Sequence, residues 1–268
     1  MKVFGGEIKR YGAAFTLIEL LVVISIISLL MAIIIPIINR AREQGKRAVC
    51  LSNLNQLSLA WIMYADDNED RIVCGDTEEY TSEYQPNGVH YKETAWVLKD
   101  WNTNDMAKKR DAIMKGALYR YARDVGVYKC PTGLRKELRL YTVIDAMNCI
   151  AIPGCGPGAV MIKNRLQIEK PYQRFVFLDD GGSGGATMGG WTCYVNVDRW
   201  WDVTPIRHGE GTTFSFADGH GEYWKWKDRR TLDFGQRMRA FSEVQAKNDD
   251  ILRTQIGAWG EVALNRDE

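Results

Sequence analysis

FTLIELLVVISIISLLMAIIIPII, residues 15–38, is the stretch from which the rest of the chain is read. It carries a single charge, Glu19, and residues 20–38 carry none. A helix rising 1.5 Å per residue reaches about 36 Å over this length, enough to cross a hydrocarbon core of about 30 Å. Core helices of soluble domains are seldom so uniformly apolar for so long. A secretory signal would have an apolar region of roughly 7–15 residues closed by a small-x-small cleavage site. Here the run passes into Ile37-Ile38-Asn39-Arg40, which lacks that site, so the helix is expected to be retained. Ser25 and Ser28 interrupt the apolar surface, but each can bond back to its own helix.

The flanks are basic on both sides, with Lys2, Lys9 and Arg10 before the run and Arg40, Arg42, Lys46 and Arg47 after it. The positive-inside balance therefore does not set an orientation. The 268 residues hold 35 Lys+Arg and 34 Asp+Glu; removing Lys2, Glu7, Lys9, Arg10 and Glu19 leaves 32 of each in residues 39–268. A nucleic-acid binder working by phosphate neutralisation would show a basic excess, and this chain has none. A 46% hydrophobic content excludes global disorder, and one apolar stretch excludes a polytopic transporter.

Glu19 sits five residues into the run. A carboxylate at mid-bilayer costs roughly 2.5–3.5 kcal/mol and less near an interface, so it either snorkels or meets a cation. The surrounding segment, Ala14-Phe15-Thr16-Leu17-Ile18-Glu19-Leu20-Leu21-Val22-Val23-Ile24, strongly resembles the processing and methylation site of type IV prepilins and type II secretion pseudopilins. A short basic leader ending in a small residue precedes it, as in that family. The resemblance implies cleavage by prepilin peptidase between Ala14 and Phe15, followed by N-methylation of Phe15. It also implies that Glu19 pairs with the Phe15 amine of a neighbouring subunit during filament assembly. Pro36 matches a proline that often interrupts this helix in the family, where the missing N–H loosens the ladder. The chain departs from the pattern before the cut, where Ala14 stands in place of the usual Gly.

Beyond Pro36 the chain turns amphipathic. Cys50, Leu54, Leu57, Trp61 and Tyr64 recur at helical spacing and form one stripe, with Asn53, Asn55, Gln56 and Ser58 filling the rest. This predicts one long helix over about 15–65 whose second half packs its stripe on a globular domain. Asp66-Asp67-Asn68-Glu69-Asp70 ends the pattern. It lacks the glycine and distal Glu of an EF-hand loop and reads as a solvated helix terminus.

From residue 71 short strand-like runs alternate with Gly, Pro, Asn and Asp. Residues 71–170 carry no recognisable motif. Arg174–Leu178 is an apolar strand candidate leading into Asp179-Asp180. Neighbouring strand residues point to opposite faces, so these two carboxylates are not expected to act as an acid/base pair. Residues 181–190 hold six glycines and must be a loop; without Gly-Lys-Ser/Thr it is not a phosphate loop. Residues 212–217 and 220–226 flank Asp218-Gly219, which suits a two-residue type I′ turn. That register would oppose Phe214 to Tyr223 and Thr213 to Trp224.

His208 stands ahead of Asp218-Gly219 in a His-x9-Asp-Gly pattern, running Arg207-His208 … Phe216-Ala217-Asp218-Gly219-His220. This resembles the C-terminal signature of a large group of prepilin-type proteins that pair it with the N-terminal processing site. His208, Asp218 and His220 are adequate metal ligands as a set. Asp218 is nevertheless expected to serve its own turn, so His208, Asp218 and Gly219 are read as a structural motif and no metal or other cofactor is expected. Six cysteines lie outside the apolar run. A disulfide between Cys149 and Cys155 would close a short loop in an oxidising compartment, although six cysteines allow fifteen connectivities. Residues 232–259 read as one or two surface helices covering a sheet edge.

These features predict an α+β protein: a leader at 1–14, a transmembrane or filament-core helix at 15–38, an amphipathic continuation at 39–66 and an antiparallel head at 67–268 with its hairpin at 208–226. The function they imply is that of a pilin-like (pseudopilin) structural subunit without catalysis, assembled through its helix into a type II secretion or type IV pilus-like filament. Its expected location is the inner membrane with the head in the periplasm. The implied partners are prepilin peptidase and other pilin-like subunits. The alternative is a single-pass anchored module that binds glycans through surface Trp, drawn from Trp191, Trp200, Trp201, Trp224 and Trp226.

Overall fold

Residues 17–67 form a single helix, α1 (Leu17–Asp67), in the computed structural model, which describes residues 16–77, 93–99, 103–133, 136–149, 159–180, 190–237 and 242–264. The chain divides into two units, residues 1–42 and 43–268. In the first unit every described side chain from Thr16 to Ile38 is exposed, which is what a helix surface made for lipid or for other helices looks like. Ser25 and Ser28 donate their hydroxyls to the Leu21 and Ile24 carbonyls at 2.7 Å each, so the two polar groups are satisfied within the helix.

In the second unit the helical stripe is buried as expected: Cys50, Leu54, Leu57 and Trp61 lose essentially all solvent contact, while Tyr64 is half-buried. Ser58 was expected on the polar side and is buried instead, because the packed face is wide enough to include Ser58, Ala60 and Ala65. Two short helices follow, α2 (Met106–Met114) and α3 (Tyr119–Ala122), and a 3₁₀ turn at Val125–Tyr128 whose N-cap Asp124 accepts from Gly126 N at 2.8 Å.

The strands are β1 (Tyr141–Val143), β2 (Phe175–Asp179), β3 (Arg199–Trp200), β4 (Gly211–Phe216), β5 (Gly221–Lys225) and, after helix α4 (Arg229–Gln236), β6 (Glu243–Val244). Four of them make an antiparallel sheet in the order β1-β2-β4-β5, and β3 pairs with β6. Every residue of β2 and β4 is buried, so these central strands are covered on both faces. One cover joins Cys50, Leu54, Leu57 and Trp61 of α1 to Val176, Phe177 and Ala217. The other joins Phe175, Leu178, Phe214 and Phe216 to Trp226 and to Ile251, Ala258 and Trp259 of the last helix, α5 (Asp249–Trp259).

A register shift between Phe175 and Phe177 breaks the alternation of β2. Phe175 faces the α5 cover, whereas Val176 and Phe177 both join the α1 cover and Leu178 returns to the α5 side. A bulge of this kind places two residues of one strand against one of its partner and re-aims everything after it. Without it, strict alternation would send Asp179 to the face of Phe175; with it, Asp179 shares the face of Phe177 and of α1.

Two expectations require correction. The β4–β5 register pairs Thr213 with Tyr223 and Phe214 with Glu222, one residue away from the two-residue hairpin. Gly219 N donates to Phe216 O at 2.9 Å and Phe216 N to His220 O at 2.9 Å, so the loop is the three residues Ala217-Asp218-Gly219 with Gly219 at φ +95°. This is a type I turn closed by a left-handed glycine, which Asp-Gly serves as well as it serves a type I′ turn. Helix α5, read as covering a sheet edge, covers a sheet face instead. A Cβ on Gly257 would lie 2.2 Å from the Phe175 ring, so α5 lies flat on the sheet face.

Candidate functional site

Ala14 and Phe15 lie outside the described residues. Glu19, four residues on from Phe15, forms a capping box with Thr16: Thr16 N and Oγ1 donate to Glu19 Oε2 at 2.9 Å each, and Glu19 N donates to Thr16 Oγ1 at 3.2 Å. Two unpaired N-terminal amides are thereby satisfied reciprocally, and an acidic group lies at the positive end of the helix.

Three segments far apart in sequence converge on α1 in the second unit. Glu43, Arg47 and Cys50 prolong the buried stripe toward the N-terminus at helical spacing. His208 Nδ1 lies 3.1 Å from Glu43 Oε1, and Arg47 donates through Nη2 to the His208 carbonyl at 2.8 Å. The Arg47 guanidinium also stacks 3.6 Å from the Tyr223 ring centre. His208 itself occupies the turn before β4, closed by an Arg207–Gly211 bridge, at φ +53° with Gly209 at φ +104°. A histidine held in the left-handed region costs on the order of 1 kcal/mol and persists only where its surroundings demand it.

The other imidazole nitrogen, Nε2, points at Cys130 Sγ (3.3 Å) and Asp179 Oδ2 (3.5 Å), and Cys50 Sγ lies 3.4 Å from the same Asp179 oxygen. Cys130 follows the 3₁₀ turn, with Lys129 anchored when Asn53 of α1 donates to its carbonyl at 2.9 Å. The four side chains are buried, and their ligand atoms all lie within 4.8 Å of one another. Three hydroxyls surround the sulfurs: Tyr141 (3.2 Å) and Thr213 (3.0 Å) on Cys50, and Thr132 (3.0 Å) on Cys130. Arg207 Nε lies 3.8 Å from Asp179 Oδ1.

Burial pushes the Asp179 carboxyl up to about 6 against the pull of its hydrogen bond with His208. Burial also works against the His208 cation, but the hydrogen bonds to Asp179 and Cys130 outweigh it and hold His208 up at about 9. The Cys50 thiol is raised, chiefly by burial, while hydrogen bonding from Cys50, and then from His208, draws Cys130 down. A cysteine that favours its thiolate beside an imidazole and a second sulfur is able to ligate a metal.

The structure thus gives His208 different companions from those adjacent in sequence. Asp218 serves its turn, accepting from His220 N at 3.2 Å, and His220 stacks on Phe216 with centroids 4.2 Å apart at the surface. Gly219 supplies the positive φ of that turn. Cys50, Cys130 and Glu43 had no sequence signal beyond the helical spacing of Cys50 and Glu43. Cys149 is a buried thiol whose sulfur lies 3.6 Å from the Ile144 carbonyl oxygen; Cys155, its expected partner, is outside the described residues.

Among the tryptophans named for glycan stacking, Trp191, Trp200 and Trp226 are buried, and their indole N–H groups donate internally to Val203 O, Gln245 Oε1 and Pro205 O. Trp201 and Trp224 are half-buried; Trp224 carries the Arg253 guanidinium 4.1 Å above its ring. Three of the five are thus committed to the core, and Trp224 is covered on one face by Arg253.

The described architecture, one long apolar helix followed by an antiparallel sheet of four strands, is that of an α+β pilin-like protein. Residues 9–35 match the family model described as the prokaryotic N-terminal methylation motif, consistent with a type IV prepilin or pseudopilin processed by prepilin peptidase. No curated protein and no solved structure matches the chain. The motif indicates a pilin-like structural subunit, and the helix that carries it is long and apolar enough to cross a membrane.

Proposed function

We propose that the chain is a pilin-like subunit that is cut between Ala14 and Phe15, methylated on Phe15 and assembled through residues 15–38 into a type II secretion or type IV pilus-like filament. The observation that carries this reading is the match of residues 9–35 to the methylation motif, on a helical segment whose apolar side chains from Leu17 to Ile38 are all exposed. Before assembly the helix sits in the inner membrane, with the head in the periplasm. On extraction its apolar surface exchanges lipid for the helices of neighbouring subunits. Glu19 leaves its capping partner Thr16 and meets the new Phe15 amine of a neighbour, which offsets the cost of a buried carboxylate.

The test is the sheared surface fraction of cells producing the full chain. The wild-type chain is expected there, crosslinking to copies of itself or to other pilin-like subunits. Glu19→Val should remain in the membrane at normal abundance and disappear from the sheared fraction. A wild-type chain confined to the membrane, with no crosslinked neighbours, would overturn assembly.

A further inference from the structure

We propose that Cys50, Cys130, Asp179 and His208 are the ligands of a buried, closed zinc site that pins α1 to the sheet of the head. This does not depend on whether the chain enters a filament.

The donor set carries the argument. Two sulfurs, one imidazole nitrogen and one carboxylate oxygen suit zinc, which takes four such ligands tetrahedrally when its role is structural. A tetrahedral ion with Zn–S of about 2.3 Å and Zn–N or Zn–O of about 2.0 Å requires ligand–ligand edges of about 3.3–3.8 Å. Three measured edges are 3.3 Å (Cys130 Sγ to His208 Nε2), 3.4 Å (Cys50 Sγ to Asp179 Oδ2) and 3.5 Å (His208 Nε2 to Asp179 Oδ2). Within 4.8 Å for every pair, the four atoms need only small adjustments to close on one centre.

The surroundings repeat this pattern one layer out. Metal-bound imidazoles are oriented by a carboxylate on the other ring nitrogen, and Glu43 holds His208 Nδ1 at 3.1 Å, leaving Nε2 to face inward. Around the sulfurs, the hydroxyls of Tyr141, Thr213 and Thr132 lie within hydrogen-bond reach and can donate to thiolates, which stabilises the ionised form that ligates. Charge balances as well. Two thiolates and the Asp179 and Glu43 carboxylates sum to −4, the ion supplies +2, and Arg207 beside Asp179 and Arg47 at the His208 carbonyl supply the remaining +2. Binding releases to solvent the protons that the two thiols and His208 Nε2 carry beforehand. Finally, the β2 bulge and the strained His208 backbone are the two irregularities that aim Asp179 and His208 at Cys50, and each is explained by a site that needs them there.

The test uses the tag-free full-length chain in detergent, purified under reducing conditions after growth with zinc. Elemental analysis is expected to find one zinc per chain. X-ray absorption at the zinc edge should show two sulfur and two nitrogen or oxygen neighbours, and cobalt substituted for zinc should give the intense visible bands of a tetrahedral thiolate site. Cys130→Ser should lower zinc content and remove the sulfur-to-cobalt band. Should that variant fail to fold, Glu43→Gln keeps all four ligands and is expected to weaken zinc binding ten- to a hundredfold in competition with a chelator. Three results would overturn the proposal: a reduced chain that takes up no zinc, zinc bound without sulfur neighbours, or a Cys50–Cys130 disulfide in chain isolated from membranes without reductant.

Discussion

Asp202 shows how burial of one residue sets the pH behaviour of the head. Burial lifts its carboxyl to about 6, opposed by the hydrogen bond Thr192 N donates to it at 2.7 Å. The folded chain therefore holds this proton more tightly than the unfolded chain, whose Asp titrates near 3.9. The stabilisation this gives is fully present below the unfolded value and is lost as pH rises through about 6, on the order of 3 kcal/mol. Asp145, fully buried and bonded to the same Thr192, is also raised by burial and adds to the same slope. Denaturant titrations at pH 4.5 and 7 should find the wild type less stable at the higher pH and Asp202→Asn markedly less sensitive. Parallel pH dependence in the two proteins would show that Asp202 is not the group responsible. Gly219 makes a second prediction at this scale. Its φ of +95° disfavours any side chain, so Gly219→Ala should cost roughly 1–2 kcal/mol of unfolding free energy, and an unchanged midpoint would contradict the turn.

At the level of elements, α1 is held to the head by its buried stripe and by close approach to β5. A Cβ on Gly221 would lie 2.7 Å from Asn55 Oδ1 and 3.3 Å from the Leu51 side chain, which places the start of the strand directly against the helix. Leu57 is fully buried and Leu59, two residues on, is 55% exposed. Leu57→Ala is expected to destabilise the head by about 2–5 kcal/mol and Leu59→Ala by less than about 0.5 kcal/mol, measured by chemical unfolding. Equal effects would mean that the stripe does not pack. The spacing of Cys50, Leu54, Leu57 and Trp61 made this helix legible, since helical periodicity is a local signal. Asp218-Gly219 likewise marked the β4–β5 turn, but not whether two or three residues form it, and the choice between them moved the register by one. The bulge in β2 left no trace in Arg174–Leu178, because an unbroken apolar run reads alike with or without an extra residue. Cys50, Cys130, Asp179 and His208 come from four segments whose meeting depends on that bulge and on the turn at His208. Of the four, only His208 carried a motif.

In the whole molecule, two stretches of one chain carry separate tasks. Residues 15–38 carry one charge, Glu19, are otherwise apolar apart from Thr16, Ser25 and Ser28, and answer to lipid or to other helices; residues 43–268 bury two aromatic-rich cores around a sheet and carry the Cys–Asp–His cluster. Prepilin processing is most open to test at Ala14, where the residue before the cut departs from the usual Gly. Intact mass and N-terminal sequencing of the chain extracted from its native membrane test it directly. The expected chain lacks residues 1–14 and begins at N-methyl-Phe15. A chain that keeps Met1 or Lys2 at its N-terminus would contradict it, leaving an uncut protein that stays in the membrane as a single-pass anchor.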